Sequence, residues 1–124
     1  MKITNVNELK GKTIVGVSCL KEGNGLFQLR CSDDNIYLLQ KTEYSENELV
    51  VDEVSEDETS EVMNSPLTFA KRVVKQWEIN IKSEHYYLTR TTFHLETENG
   101  MLLIGFTAKS YNSNSVEVNL YRVD

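Results

Sequence analysis

The chain has 124 residues, a formal net charge of −6, 40% hydrophobic residues and a single proline. A chain of this length forms one domain around one core, and its hydrophobic content is too high for a disordered protein. Its acidity opposes contact with the phosphate backbone that dominates the affinity of proteins for nucleic acids. We therefore expect one domain, residues 1–124, without direct binding to DNA or RNA.

The sequence indicates neither a leader peptide nor a membrane segment. Residues 1–12 lack the apolar centre of a secretory signal, and no run approaches the roughly 18 apolar residues that cross a bilayer. The expected location is therefore the cytoplasm, without membrane contact. In that reducing compartment Cys19 and Cys31 are expected to be reduced and buried, because two cysteines are too few for a disulfide framework.

The N-terminal part of the chain predicts a helical turn and then a strand. A cap-like asparagine and a glycine stop predict one helical turn over residues 5–12. β-branched residues predict a strand over Thr13–Leu20. A hairpin centred on Gly25 then places Cys19 opposite Cys31.

A second hairpin is predicted around the polar turn Ser32–Asn35. Pairing about this turn places Leu29 opposite Leu38, so that the apolar residues of both strands share one face. On this register Tyr37 lies on the other face, where a partner can reach it.

The middle of the chain is strongly acidic. We call Glu43–Pro66, which ends at the only proline and contains no Lys or Arg, the acidic segment. Interleaved apolar and acidic positions predict a strand over Glu48–Val54. Ser55 is a favourable N-cap for a short helix over Ser55–Met63, whose first carboxylates complement the positive end of the helix dipole.

Two structures are consistent with residues 67–76. Pro66 at a first helical position favours a helix with Leu67, Ala70 and Val74 on one face. The alternative is an extended strand with Leu67, Phe69 and Val73 turned inward. The pattern alone leaves both open.

The C-terminal third predicts a three-stranded antiparallel meander over residues 86–123. Asn99–Gly100 is a strong hairpin signal, and pairing about it places Phe93 opposite Phe106. The last strand, residues 116–123, is then expected to pair with the strand that contains Phe106. The expected fold class is thus a β-rich α+β fold, a twisted antiparallel sheet or open barrel of about seven or eight short strands with one or two short helices.

Four short stretches carry a resemblance to a known family: LKGKTIVGV near the start, ELVVDEVSEDETSEVM in the acidic segment, the NSPL step, and NSVEVNLYRV near the end. With these the chain resembles a family of small, uncharacterised bacterial and phage domains. The resemblance implies a strand and short helix before the Ser-Pro step and a strand after it, and it implies no activity. Family members carry cysteine and glycine where this chain has residues 45–47 and 60–64, so a site built there is not carried over.

Motifs for catalysis or cofactor binding are missing from the sequence. His85 and His94 form no metal-binding motif with the cysteines, and the chain has no GxSxG motif and no phosphate-binding glycine loop. We therefore expect no metal, no cofactor and no catalytic residues.

The expected function is non-catalytic binding to a protein partner, as in an inhibitor, immunity protein or assembly factor encoded by a phage or mobile element. The acidic segment steers the protein toward a basic surface on that partner, and exposed aromatic residues anchor the contact. The residues expected to make it are Glu46, Glu48, Asp52, Glu53, Glu56, Asp57 and Glu58, with Tyr44 and Tyr37 as aromatic anchors. The alternatives are a small-ligand-binding β-barrel, an unrecognised enzyme, or a structural module that forms homo-oligomers.

Overall fold

The computed structural model describes residues 2–21, 26–41, 49–54, 62–111 and 117–123. These ranges contain a 3₁₀ turn, Val6–Leu9, and nine strands. The strands are β1 (Lys2–Ile3), β2 (Ile14–Lys21), β3 (Leu26–Cys31), β4 (Ile36–Lys41), β5 (Leu49–Val54), β6 (Phe69–Ile81), β7 (Glu84–Thr97), β8 (Gly100–Ser110) and β9 (Val118–Val123).

The strands form two antiparallel sheets, and the prediction of a strand-rich antiparallel fold is confirmed. One sheet has five strands in the order β1-β9-β4-β3-β2, and the other has four in the order β5-β8-β7-β6. Within the described ranges both sheets are open, so the strands do not close into a barrel. The expected helices are not seen there, because the first is only the 3₁₀ turn and Ser55–Met63 lies almost entirely outside the described residues.

Both sheets contribute to one hydrophobic core, because the apolar faces of strands from each belong to the same cluster of buried residues. The five-stranded sheet supplies Ile14, Phe27, Leu29, Cys31, Tyr37, Leu39, Val118 and Leu120. The four-stranded sheet supplies Ala70, Phe93, Leu95, Leu102, Ile104, Phe106 and Ala108.

The N-terminal turn forms where the sequence indicates a cap and a stop. The side chain of Asn5 accepts a hydrogen bond from the Asn7 N–H at 2.8 Å, which satisfies one of the free donors at the start of the turn. Gly11 follows with a φ of 84°, a backbone conformation that residues with a Cβ rarely adopt. Between these two residues Leu9 is fully buried, so the turn closes one end of the core.

The β3–β4 hairpin has a different register from the predicted one. The Cys31 N–H donates to the Asn35 carbonyl at 2.9 Å, and Asp34 adopts a left-handed φ of 68°. The loop is therefore one residue shorter than expected, and Leu29 lies opposite Tyr37 instead of the following residue. A shift by one residue moves every side chain of one strand to the other face, so Tyr37 points into the core.

The predicted pairing of the two cysteines is wrong. Cys19 lies opposite Phe27, and Cys31 lies opposite Ile14, with irregular register at both ends of the β2–β3 ladder. Because four residues of β3 separate these two positions, the cysteine Cα atoms are about 13 Å apart, well beyond the roughly 7 Å limit of a disulfide. Cys31 is a buried free thiol, and burial raises its pKa.

The β7–β8 hairpin turns at Glu98 and Asn99, and its register differs from the prediction by two residues. Phe93 therefore lies opposite Ile104 and not opposite Phe106. A shift of two residues keeps each side chain on its face, so the predicted aromatic contact survives on the diagonal. The two phenylalanine rings meet edge to face with centroids 6.2 Å apart.

The predicted meander of the last three strands is wrong. β9 pairs with β4 and β1, and the second neighbour of β8 is β5. Val118 and Leu120 are nevertheless buried as expected, now from the opposite side of the core. An alternating pattern defines which face of a strand is buried, but it does not define which sheet the strand joins.

Of the two structures considered for residues 67–76, the extended one is correct, and Leu67 is buried as predicted, but the predicted inward orientation of Phe69 and Val73 is wrong. β6 pairs along its whole length with β7, and Ala70 and Arg72 lie opposite the core residues Leu95 and Phe93. Phe69 and Val73 therefore lie on the face away from the core. The hydrophobic pattern does not indicate this orientation, because the inward positions hold the small Ala70 and the charged Arg72.

The inward Arg72 joins the two sheets at their edge. Its Nε donates to the Val118 carbonyl at 2.9 Å, and its Nη2 donates to Glu117 Oε1 at 2.8 Å and to Asn119 Oδ1 at 3.2 Å. The Val118 N–H also donates to the hydroxyl of Thr91 on β7 at 3.2 Å. The start of β9 is thus attached to the four-stranded sheet by polar contacts as well as by the core.

We expect Arg72→Met to lower the free energy of unfolding by about 1.5 to 3 kcal/mol, the range for hydrogen bonds to charged groups. Methionine retains an aliphatic stem of similar length but cannot donate to Glu117 or Val118. Urea denaturation measures the difference. Lys71→Met is the matched control, because Lys71 is exposed on the opposite face of β6; an equal loss in both variants would contradict the role of Arg72.

Candidate binding surface

Most of the acidic residues expected to contact a partner are not described by the structure. Asp52 and Glu53 belong to β5, an edge strand of the four-stranded sheet, and Glu53 lies opposite Gly105 after an irregularity in the ladder. The remaining expected residues, Tyr44, Glu46, Glu48, Glu56, Asp57 and Glu58, lie outside the described ranges. The acidic contact therefore stays a prediction.

The prediction that Tyr37 is an exposed anchor is wrong. Its side chain is fully buried, and its hydroxyl donates to Glu8 Oε2 at 2.8 Å. Arg122 donates to the other carboxylate oxygen of Glu8 at 3.1 Å. Burial, reinforced by the hydrogen bond to Glu8, raises the pKa of Tyr37 to about 12. Tyr37 therefore belongs to the core and its polar edge, and it is unavailable to a partner.

In the described part of the chain, exposed aromatic residues lie on a different surface. The side chains of β6, β7 and β8 that alternate with core residues point away from the core, and we call this side of the four-stranded sheet the outer face. Trp77, Ile81 and Tyr111 lie on it with exposed fractions of 44%, 56% and 67%. Clusters of exposed apolar side chains are uncommon on monomeric proteins and mark interaction sites.

Lys109 organises two of the aromatic rings of the outer face. Its Nζ lies 4.2 Å from the ring centroid of Tyr86 and 5.1 Å from that of Tyr111. The two rings meet edge to face with centroids 6.4 Å apart. A hydrogen bond with Tyr111 raises the pKa of Lys109, so the ammonium remains charged at neutral pH. The cation holds both rings in place at one end of the face.

A shallow groove of about 410 Å³ crosses the centre of the outer face. Its lining combines an apolar centre with basic side chains. The lining residues are Val73, Lys75, Trp77, Arg90, Thr92, His94 and Leu103. At one end, His94 packs against the edge of the Phe69 ring with centroids 5.1 Å apart and lies 3.2 Å from a carboxylate oxygen of Glu96. The groove fits an apolar side chain with acidic neighbours.

A second cavity, of about 490 Å³, lies between the N-terminal residues and the start of β9. Arg72 lines it, but the guanidinium is already engaged by Glu117, Val118 and Asn119. This cavity is therefore best explained by the junction of the two sheets. Among the described residues, no three His, Cys, Asp or Glu side chains come together as a metal site. No helix in the same ranges has the length and hydropathy of a membrane span.

Reasoning from the sequence missed the outer face because the orientation of β6 was assigned wrongly. Trp77 and Ile81 stand at alternate positions with Val73, so they share its face. Once Ala70 is paired with Leu95, all three must point away from the core. The signal was therefore present in the alternation of residues 73–81, but it required the correct register.

Comparison of the chain with models of known families, with curated proteins and with solved structures finds no match to any of them. The resemblance to uncharacterised bacterial and phage domains thus depends on its short motifs alone.

Proposed function

We propose that the protein is a non-catalytic cytoplasmic domain that binds another protein through the outer face of its four-stranded sheet. The observation that carries the proposal is the grouping of Trp77, Ile81 and Tyr111, all substantially exposed, on one face. Trp and Tyr are the residues most enriched among those that dominate binding energy. A groove beside Trp77 offers the concave site into which a partner side chain inserts.

The acidic segment supplies the electrostatic part of the same proposal. β5, which lies within this segment in the sequence, is an edge strand of the sheet that carries the outer face. A partner with a basic surface facing the acidic segment and an apolar patch over Trp77 engages both features. The carboxylates accelerate association, and the aromatic residues slow dissociation. An inhibitor, immunity protein or assembly factor of a phage or mobile element fits this arrangement.

The proposal is tested by affinity capture from the native host, followed by titration of the purified partner. We expect Trp77→Ala to weaken binding by at least about 30-fold, the loss typical of a dominant interface residue. Ile3→Ala is the matched control, because Ile3 is 60% exposed but lies on the five-stranded sheet. A partner that binds the wild-type and Trp77→Ala proteins equally overturns the assignment of the outer face.

The electrostatic part is tested separately with charge reversal at Glu56, Asp57 and Glu58. We expect a slower association rate and a weaker dependence on salt, with little change in the dissociation rate. Unchanged association between low and high salt refutes the steering role, while leaving the result for Trp77 intact.

A further inference from the structure

Among the described residues, no strand pairs with the outer edge of β6 over residues 73–81. The chain is covered before this stretch: just ahead of β6 the Leu67 N–H donates to the Lys12 carbonyl at 2.8 Å, and within β6 Arg72 contacts the start of β9. From Val73 onward, β7 is the only hydrogen-bonded neighbour of β6 in the described part of the chain. An unpaired edge of this length is a ready template for another strand.

The composition of this edge favours pairing rather than protection against it. The stretch VVKQWEINI contains no proline or glycine and is rich in Val, Ile and Trp. Its two charged residues, Lys75 and Glu78, cancel each other, although the chain has a net charge of −6. Two copies can therefore approach through this edge without the repulsion that opposes contact elsewhere on their surfaces.

The end of the β6–β7 hairpin extends past the rest of its sheet. β8 ends at Ser110, which lies opposite Tyr87, whereas β6 and β7 continue to the pair Ile81 and Glu84. Residues 79–86 thus form a two-stranded ribbon in the described structure, and Ile81 at its end is 56% exposed. A two-stranded ribbon is marginally stable in water unless a third strand or a packed face supports it.

We propose that β6 pairs antiparallel with β6 of a second copy of the chain, giving a two-fold symmetric dimer in which the two four-stranded sheets become continuous. With the symmetry axis at Trp77, the middle of the open edge, residues 79–81 of each copy lie beside residues 73–75 of the other. Each projecting ribbon thereby gains a third strand that is anchored in the body of the partner's sheet. A second copy is the occupant that fits this edge, because the edge is neutral on a chain of net charge −6 and one contact between two copies supports the ribbons of both.

This register has a specific electrostatic consequence. Lys75 of one copy lies directly opposite Ile79 of the other, and the symmetry repeats the pair. Like charges directly opposite each other across strands are destabilising, and opposite charges are stabilising. Ile79→Lys should therefore form a weaker dimer than Ile79→Glu, although both variants remove the same apolar side chain.

Sedimentation equilibrium of the full chain, from about 1 to about 500 μM, measures the dissociation constant by mass action. We expect a reversible equilibrium between one chain and two, and a dissociation constant at least about tenfold higher for Ile79→Lys than for Ile79→Glu, from two pair energies of about 1 kcal/mol. The double variant Lys75→Glu/Ile79→Lys restores opposite charges and should dimerise as Ile79→Glu does. Tyr111→Lys is the control on the outer face, away from the edge, and should leave the constant unchanged.

Hydrogen exchange gives a readout that does not depend on the variants. As the concentration rises, alternate backbone amides of residues 73–81 should become protected, because an edge strand directs every second amide outward. A mass of one chain at all concentrations overturns the proposal. So does a dimer with equal dissociation constants for Ile79→Lys and Ile79→Glu, or one that leaves exchange in β6 unchanged. Circular dichroism of the dilute variants confirms that each one is folded.

Discussion

Replacing Phe106 by alanine is expected to lower the free energy of unfolding by about 3 to 5 kcal/mol, the cost typical of removing a buried aromatic ring. Phe106 lies on β8 between β5 and β7, and its side chain is fully buried. Its ring meets Phe93 edge to face at an interplanar angle of 89°. The alanine variant loses the burial of the ring and this contact, and it leaves a cavity between the two sheets. Urea denaturation measures the loss directly.

Two further variants separate the loss of the ring from a general effect of mutation. Phe106→Leu fills most of the space and should cost about 1 to 2 kcal/mol. Ile3→Ala removes a side chain that is 60% exposed and should change stability by about 0.5 kcal/mol or less. A loss for Phe106→Ala that is no larger than the loss for Ile3→Ala contradicts the position of Phe106 in a shared core.

The C-terminal strands show how far a sequence pattern leads to a fold. Phe93 and Leu95 alternate with polar residues, and both are buried as predicted, as is Ile104 on the neighbouring strand. The predicted turn position is wrong, and the register differs by two residues. Because side chains of a strand return to the same face every two residues, this error leaves each side chain on its predicted face. The buried face was therefore predictable even though the partner of each residue was not.

The β3–β4 hairpin shows the opposite case. Here the error was one residue, and Tyr37 moved from the predicted outer position to the core. The shorter loop depends on the left-handed backbone of Asp34. Glycine is the residue usually found in that conformation, so an aspartate there does not indicate it in the sequence. Nothing in the periodicity of β4 distinguishes the two registers, because Tyr37 and Leu38 both fit an apolar face. The loop geometry that decides between them is not visible in the alternation.

Neither the pairing partner of β9 nor the outer face could be predicted from the hydrophobic pattern, and the reason is the same for both. Val118 and Leu120 can be buried against either sheet, and only the three-dimensional competition for the edge of β8 assigns them. Likewise, the surface at Trp77 follows from a pairing between β6 and β7 that an inward Arg72 conceals. The charge pattern predicts a site in the acidic segment, whereas the outer face is defined by the register of β6 on β7.

Tyr37 is the position where a wrong prediction has the clearest measurable consequence. We expect Tyr37→Ala to cost about 3 to 5 kcal/mol, as for other large buried aromatic residues, whereas replacement of an exposed anchor would cost almost nothing. Tyr37→Phe keeps the ring but removes the hydroxyl that donates to Glu8 at 2.8 Å, and should cost about 1 kcal/mol. Tyr111→Phe, at a residue that is 67% exposed, is the control and should be nearly neutral. Urea denaturation at neutral pH ranks the three.

The same residue makes stability depend on pH in the alkaline range. The pKa of Tyr37 is about 12 in the folded protein, against an ordinary value of 10, because burial and the bond to Glu8 disfavour the phenolate. The folded state therefore keeps a proton that the unfolded state releases, so this contribution is complete below pH 10 and disappears as the pH rises through about 12. Between these values we expect the wild type to lose stability relative to Tyr37→Phe by up to about 1.4 kcal/mol per pH unit. Phenolate absorbance should show a late ionisation in the wild type that Tyr37→Phe lacks; a difference between the two titration curves that falls near pH 10 instead would place Tyr37 at the surface.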